Sequence, residues 1–472
     1  MKVDDPAVPP QIVFEKAEYT IPLGEKITLS PTIEHTDARS QYAWYIGESL
    51  VATTPTYTYY AIRPETIQVR LEVSSRFGKG SQTVSLKAFS AEDSSAGIAI
   101  SFPNSQITVA KGQTITISPT LTAPQEVSFE WYIDNVKDAS QTGNTYQYQA
   151  NKVGTYILKV IASKNKQKGT AYTLISVVEP DKNNRLPKKG HKATATKVFD
   201  FRPAPGQFIN EGYSAKNQQE ANDYALKRLN EKQYVSLGGF GGYIVVGFDH
   251  SIQNTGSYDF AIYGNSFKGS SEPGIVWVMQ DENGNGLPDD TWYELRGSET
   301  GKPETIQDYE VTYYRPKKEI PSFDNPEDPN SHIHWTDNKG NKGTIDRNQY
   351  HVINSYYPAW IKEDQYTLRG TRLEPRTEDK SGNGTYWVNK EFDWGYVDNF
   401  SPIDRLTTDI NYNAAPNANH FKISDAMDKN LKPINLLYID FIKVQTALNV
   451  KAGWLGENST EVIGFTDINL PK

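Results

Sequence analysis

Residues 21–32 read IPLGEKITLSPT, and residues 109–120 read VAKGQTITISPT. The likeness runs on past both stretches. Trp44-Tyr45 answers Trp131-Tyr132, TYTYYA at 56–61 answers TYQYQA at 145–150, and the alternating runs IQVRLEV at 67–73 and YILKVIA at 156–162 follow in the same order. Self-similarity at a fixed period marks tandem modules. Within each module, apolar and polar residues alternate over short runs, which suits strands whose successive side chains point to opposite faces. Turn residues punctuate the runs, and one tryptophan stands mid-module, the pattern of an immunoglobulin-like sandwich. The chain has no cysteine, so Trp44 and Trp131 are expected to fill the inter-sheet core directly rather than to face a ligand.

Outward from the repeat, the modules are expected at 1–92 and 93–180, and they resemble the PKD-like and Ig-like modules of bacterial surface proteins. A polar linker, DKNNRLPKKGHKA, follows at 181–193, and a larger domain occupies 194–472. The expected class is all-β: two tandem Ig/PKD-like β-sandwiches followed by a larger jelly-roll-like β-sandwich with long insertions. Tyrosine (29 residues) far outnumbers methionine (3), and aromatic side chains favour a pleated surface. One helix is expected near 215–232, where Ala221, Ala225 and Leu229 form an apolar stripe and Asp223 precedes Lys227 by four residues. The stretch 315–390, rich in Pro, Asn, Asp and Gly with little periodicity, reads as a long insertion of the kind that carries function.

Net charge of −8 argues against nucleic acid, which requires a basic face. The absence of cysteine removes disulfides, thiolate metal sites and thiol nucleophiles. No run is long and apolar enough to span a bilayer, and the opening MKVDDPAVPP reads as a mature N-terminus with the look of a lipoprotein tether.

The sharpest chemical signal is DENGNGLPDD at 281–290. Asp281, Asn283 and Asn285 offer hard oxygens at positions 1, 3 and 5, Gly286 permits the turn, and Leu287 offers a carbonyl at position 7. Asp289 and Asp290 follow. This is the first half of an EF-hand-type calcium loop, without its closing glutamate, since position 12 is Trp292. It predicts bound Ca2+, with Glu294 as a candidate late ligand; the alternative is an Asn-Gly hairpin that only turns. The glycine-rich stretch at 237–242 lacks the lysine and helix of a phosphate loop, and Asp259 and Asn265 read as structural caps. His332 and His334 share one strand face, with His351 further on, but three or four converging ligands are needed for zinc. Aromatics crowd 335–396 among polar residues: Trp335, Tyr350, Tyr356, Tyr357, Trp360, Tyr386, Trp387, Trp394 and Tyr396. Planar rings with polar tips suit a large amphipathic ligand. No catalytic motif stands out, so the chain is expected not to be an enzyme.

The stretches GGYIVVGFDHSI, DFAIYGNSF, SSEPGIVWVMQDENGNGLPDDTWYELRGSE and LLYIDFIKVQTALNVKAGWLGENSTEVIGFTDI resemble a family of bacterial cell-surface proteins with a calcium-stiffened sandwich. Together with PKD-like modules, the chain resembles the surface-exposed vitamin B12-binding lipoproteins of Bacteroidetes (BtuH type). That resemblance implies a lipid-anchored protein on the extracellular face of the outer membrane. Such a protein captures cobalamin as a ligand, not a catalytic cofactor, and passes it to an outer-membrane cobalamin transporter and its surface lid protein. The chain would be monomeric, with the N-terminal modules as spacers. Ligand contacts are expected from His334, Trp335, Tyr356, Tyr357, Trp360, Arg372, Trp387, Trp394 and Tyr396, with His334 the candidate to approach cobalt. The alternatives are a carbohydrate-binding surface protein, a calcium-dependent glycan-active enzyme, and an adhesin without a small ligand.

Overall fold

Trp44 and Trp131 are both fully buried, and each indole nitrogen donates to a backbone carbonyl, of Thr54 at 2.8 Å and Gly143 at 2.9 Å. Around each tryptophan closes the same sandwich. The computed structural model describes residues 8–90, 97–122, 126–213, 215–317, 332–348, 350–351, 353, 355–406 and 417–470. The lipoprotein-like opening therefore falls largely outside the described residues.

The chain divides into two units, Met1–Glu179 and Pro180–Lys472. In the first, one five-stranded sheet runs Glu18–Pro22, Gly78–Phe89, Glu65–Ser75, Gln41–Ile46, Ser49–Ala52. The next repeats that order with Gln106–Ala110, Gln167–Val178, Gly154–Lys164, Ser128–Ile133, Val136–Lys137. In each module the first strand of this sheet lies parallel to the last, and the other pairings are antiparallel. Shorter pairs, Lys26–Leu29 with Tyr57–Tyr60 and Thr114–Ile117 with Tyr146–Gln149, belong to the opposite faces. Each module has its own apolar core. The two modules touch where Asn135 Nδ2 donates to Gly24 O at 2.9 Å.

The second unit is built on a six-stranded antiparallel sheet in the order Lys197–Arg202, Tyr243–Gln253, Tyr438–Thr446, Gly274–Met279, Trp292–Leu295, Ala426–Met427. A three-stranded sheet (Asn417–Phe421, Phe260–Gly264, Gly464–Asp467) and a four-stranded sheet (Lys342–Ile345, Ile333–Asp337, Ile306–Tyr314, Gln365–Arg372) share its core. Tyr438–Thr446 is covered on both faces and carries buried polar groups whose partners come from distant segments. Asp440 accepts from Ser251 Oγ (2.6 Å), Arg185 Nη2 (2.8 Å) and the Asp281 N–H (2.8 Å).

The linker 181–193 is fastened to the second unit, as Arg185 reaches Asp440 and Asn184 bonds Gln253 at 3.0 Å. Two expectations are corrected. The described residues of the stretch 315–390 are not all loop, since they supply the strands Ile333–Asp337, Lys342–Ile345, Gln365–Arg372, Thr377–Asp379 and Trp387–Asn389. The helix is present at Gln218–Asn230 with Ala221, Ala225 and Leu229 buried and Asn217 capping the Glu220 N–H. The expected Asp223–Lys227 pair is absent, however. Asp223 accepts from Gln219 at 2.8 Å, and Lys227 pairs with Glu231 at 3.8 Å.

Candidate functional site

Exposed aromatic rings gather where three loops of the second unit meet. Tyr350 is 65% exposed, Tyr386 61% and Trp454 49%. Tyr350 and Trp454 pack edge to face with centroids 5.8 Å apart. Trp454 Nε1 donates to Thr385 O at 3.4 Å, and the Trp387 indole abuts Gly453. Asn348 ties the loops together, its Nδ2 donating to Trp454 O at 3.0 Å and to Gln207 Oε1 at 2.8 Å. Scattered exposed rings are ordinary; here they converge on one surface and are held by polar struts.

Beside this ridge runs a groove of about 210 Å³, whose lining includes Trp335, Asp346, Asn449, Lys451 and Glu457. Trp335 sits on the strand Ile333–Asp337 opposite Gly343. A Cβ at Gly343 would lie 2.4 Å from the Trp335 ring, so the indole can lie against the strand only because that residue is glycine. Burial works against the charge on Asp346, but bonds from Lys451, Thr344 and His332 outweigh it and hold the carboxyl below its usual range. Glu457 differs. Burial pushes it up to about 8, its Oε1 accepts from the Gln207 N–H at 2.6 Å, and its Oε2 is shut from solvent without a partner.

The expected contact residues divide. Trp335 and Trp387, both half-buried, belong to the groove and the ridge. His334 is exposed on the strand face opposite Trp335, as alternation requires. Tyr356, Tyr357, Trp360 and Tyr396 are buried at 1–5% exposure and are core, not contact surface. Tyr356 OH donates to His351 O, Tyr357 OH to Glu363 O, and Tyr396 OH accepts from the Glu299 N–H. Arg372 lies over the Tyr309 ring and pairs with Glu374 at 3.3 Å. Trp394 lines a separate hollow of about 240 Å³ with Arg296, His420 and Lys422. Trp454 and Glu457 escaped the sequence reading. Their signal was GWLGENST at 453–460, where a tryptophan between glycines on a turn has no strand to bury it.

The Asp281 loop closes on itself. Asp281 is buried and accepts from the N–H groups of Gly284 (2.8 Å), Asn285 (3.1 Å) and Gly286 (2.9 Å). Asn283 Nδ2 donates to Asp289 and Asp290, Asn285 Nδ2 to Asp289, and Asn285 Oδ1 accepts from the Leu287 N–H. The ligand set expected for calcium is thus brought together, with the amides now turned toward the carboxylates. Glu294 is not part of it: it lies buried on a strand, pushed up to about 7 by burial, and accepts from Thr371. Asp259 is a cap as expected, accepting from the N–H groups of Thr255 (2.7 Å) and Ile423 (2.8 Å). Among the described residues, the triads of acidic and histidine side chains close enough to share an ion are His191, Asp249 and His250, and Glu272, Asp398 and Glu461. His332, His334 and His351 do not form one. No helix among the described residues is long and apolar enough to cross a membrane.

A PKD-like domain family matches residues 9–75. No curated protein matches the chain. Among solved structures, the chain is similar to the fibronectin(III)-like modules of Clostridium thermocellum CbhA: 12% identity over 36% of this chain and 94% of that one, TM-score 0.16. The N-terminal four Ig domains of Dscam1 match at 10% identity over 36% of this chain, TM-score 0.15, and the match spans 46% of that structure's length. Titin domains z1z2 match at 14% identity over 36% of this chain and 98% of that one, TM-score 0.15.

Proposed function

We propose that this chain is a non-catalytic cell-surface binding protein that holds a large ligand with flat faces and polar edges on the ridge formed by Tyr350, Tyr386, Trp387 and Trp454. The ligand proposed is cobalamin, passed on to an outer-membrane transporter from a lipid-anchored position. The observation that carries the reading is the exposure of aromatic rings from three separate loops on one surface. Rings fixed in this way present large contact area at little entropic cost. The resemblance noted in the sequence supplies the identity of the ligand and the location. Calcium in the Asp281 loop is proposed as a structural ion.

A groove of about 210 Å³ is smaller than the usual small-molecule cleft of roughly 300–1,000 Å³. A corrin would therefore rest across the ridge rather than enter it, and this size favours a second reading in which one sugar ring of a glycan enters beside Trp335. Catalysis on such a glycan is the weaker reading. Asp346 and Glu457 are pushed in opposite directions, as an acid–base pair would be, but Glu457 has one oxygen bonded to Gln207 and the other shut from solvent.

The test is to mix the chain with cyanocobalamin, pass it over a desalting column and read the visible spectrum of the protein fraction. A stoichiometric red protein is expected. A colourless fraction, with binding on a glycan array instead, would replace the first reading by the second.

A further inference from the structure

Glu272, Asp398 and Glu461 come from three distant segments. Glu272 precedes the strand Gly274–Met279, Asp398 follows Val397, which bridges to Gly274, and Glu461 begins the strand Glu461–Val462. One oxygen of each lies within 4.8 Å of the other two. At that limit an ion equidistant from the three oxygens would sit about 2.8 Å from each, so a small inward movement brings all three into the calcium–oxygen range of roughly 2.3–2.6 Å. Asp398 and Glu461 are buried, while Glu272 is half-buried and leaves a way in from solvent.

The backbone is committed to this convergence. Asp398 has φ 54°, and its carboxylate accepts from the N–H groups of Asn265 (2.9 Å), Ser266 (2.8 Å) and Glu461 (2.9 Å). A Cβ at Gly264 would lie 2.5 Å from Asp398 Oδ1, so glycine alone permits the approach. Among the described residues, no lysine or arginine forms an ion pair with any of the three acids. Burial pushes Glu461 upward against hydrogen bonds from Glu272, Ser459 and Ser236, whereas burial and the neighbouring acids together push Glu272 and Asp398 upward. Three converging acids, two of them fully buried and the third half-buried, are held ionised at such a site by a cation and otherwise take up protons.

A second observation lies beside the acids. Asn458 is 1% exposed and its amide abuts the cluster, with Nδ2 3.4 Å from Glu272 Oε1. Its Oδ1 is buried without a hydrogen-bond partner. Turning that amide over would bring a neutral oxygen toward the carboxylates, which is what a hard cation between them requires. No thiol or imidazole belongs to the triad, so the donors suit calcium rather than zinc.

We propose that Glu272, Asp398 and Glu461, with the Asn458 carbonyl oxygen, bind a calcium ion that pins together the segments around residues 272, 398 and 461, separately from the Asp281 loop. The test uses the full chain, stripped with a chelator and dialysed against calcium chloride, with bound calcium counted by atomic emission and melting followed with and without calcium. Glu272→Gln and Glu461→Gln are each expected to bind one equivalent fewer than wild type. Each also loses part of the calcium-dependent rise in Tm, a rise of about 5 °C for this site at saturation. Without calcium, Glu272→Gln melts no lower than wild type, because one of three repelling carboxylates is gone. Glu272 is half-buried, so this variant folds even if Glu461→Gln does not. A wild type that binds no calcium, or a Glu272→Gln protein that binds as many equivalents as wild type, overturns the proposal.

Discussion

His250 shows how far one side chain depends on its surroundings. It is fully buried; burial opposes its charge, but its hydrogen bonds to Asp467 (2.9 Å) and Asp249 (2.8 Å) prevail and raise its pKa. A raised histidine stabilises the fold fully below its unfolded value of about 6.5 and loses that contribution as pH rises through the higher folded value. His250→Gln is therefore expected to cost about 1–3 kcal/mol at pH 6, with the gap to wild type narrowing above neutrality, as melts across pH will show. A gap that widens with pH would contradict the assignment. The aromatic residues give a second contrast. Trp454→Ala should weaken ligand binding about tenfold and leave the melt nearly unchanged, whereas Tyr357→Ala should cost about 3–5 kcal/mol of stability. Titration and thermal melts on the same two variants separate surface from core. Asp281→Ala removes the acceptor for three N–H groups and is expected to lower stability by about 2–3 kcal/mol even in chelator, and to remove the loop's share of the calcium response.

At the scale of elements, the modules were legible and the second unit was legible only in part. Each module's strands follow from local alternation, and Trp44 and Trp131 fall in the core because the same pattern surrounds both. The helix was legible for the same reason, through a stripe at Ala221, Ala225 and Leu229. Tyr356, Tyr357 and Trp360 were misread because they lie in a turn, where periodicity carries no information. Their burial comes from partners far off in the chain, such as Phe201 against Trp360 and Arg315 over Tyr357. The ridge was legible in Tyr350, Tyr386 and Trp387, but not its meeting with Trp454, which depends on how loops 348–351, 384–387 and 453–456 close. The Trp335–Gly343 contact can be tested directly. Gly343→Ala should displace the indole at a cost of about 1–3 kcal/mol and change affinity for whatever enters the groove, measured by titration beside the melt.

For the whole molecule, the two units make different demands on a truncation. Residues 180–472 retain Arg185 on Asp440 and should bind ligand as tightly as the full chain. A fragment beginning at 194 loses that pair and the Asn184–Gln253 bond, and is expected to melt lower by about 1–3 kcal/mol. A large loss of affinity in the 180–472 fragment would show that the modules contribute contacts of their own.

The parallel pairing of terminal strands in each module bears on force. In the first module Glu18–Pro22 lies alongside Gly78–Phe89, and in the second Gln106–Ala110 lies alongside Gln167–Val178. Pulling a module by its two ends drags such parallel strands past each other lengthwise. The rungs of the ladder are then loaded together in shear instead of being opened one by one like a zipper. The outer pairs, Gln11–Val13 with Thr32–Glu34 and Ile100–Ser101 with Thr120–Leu121, are short and antiparallel, and would yield first. Each module thus has the layout of a mechanical clamp behind a weaker outer fastening.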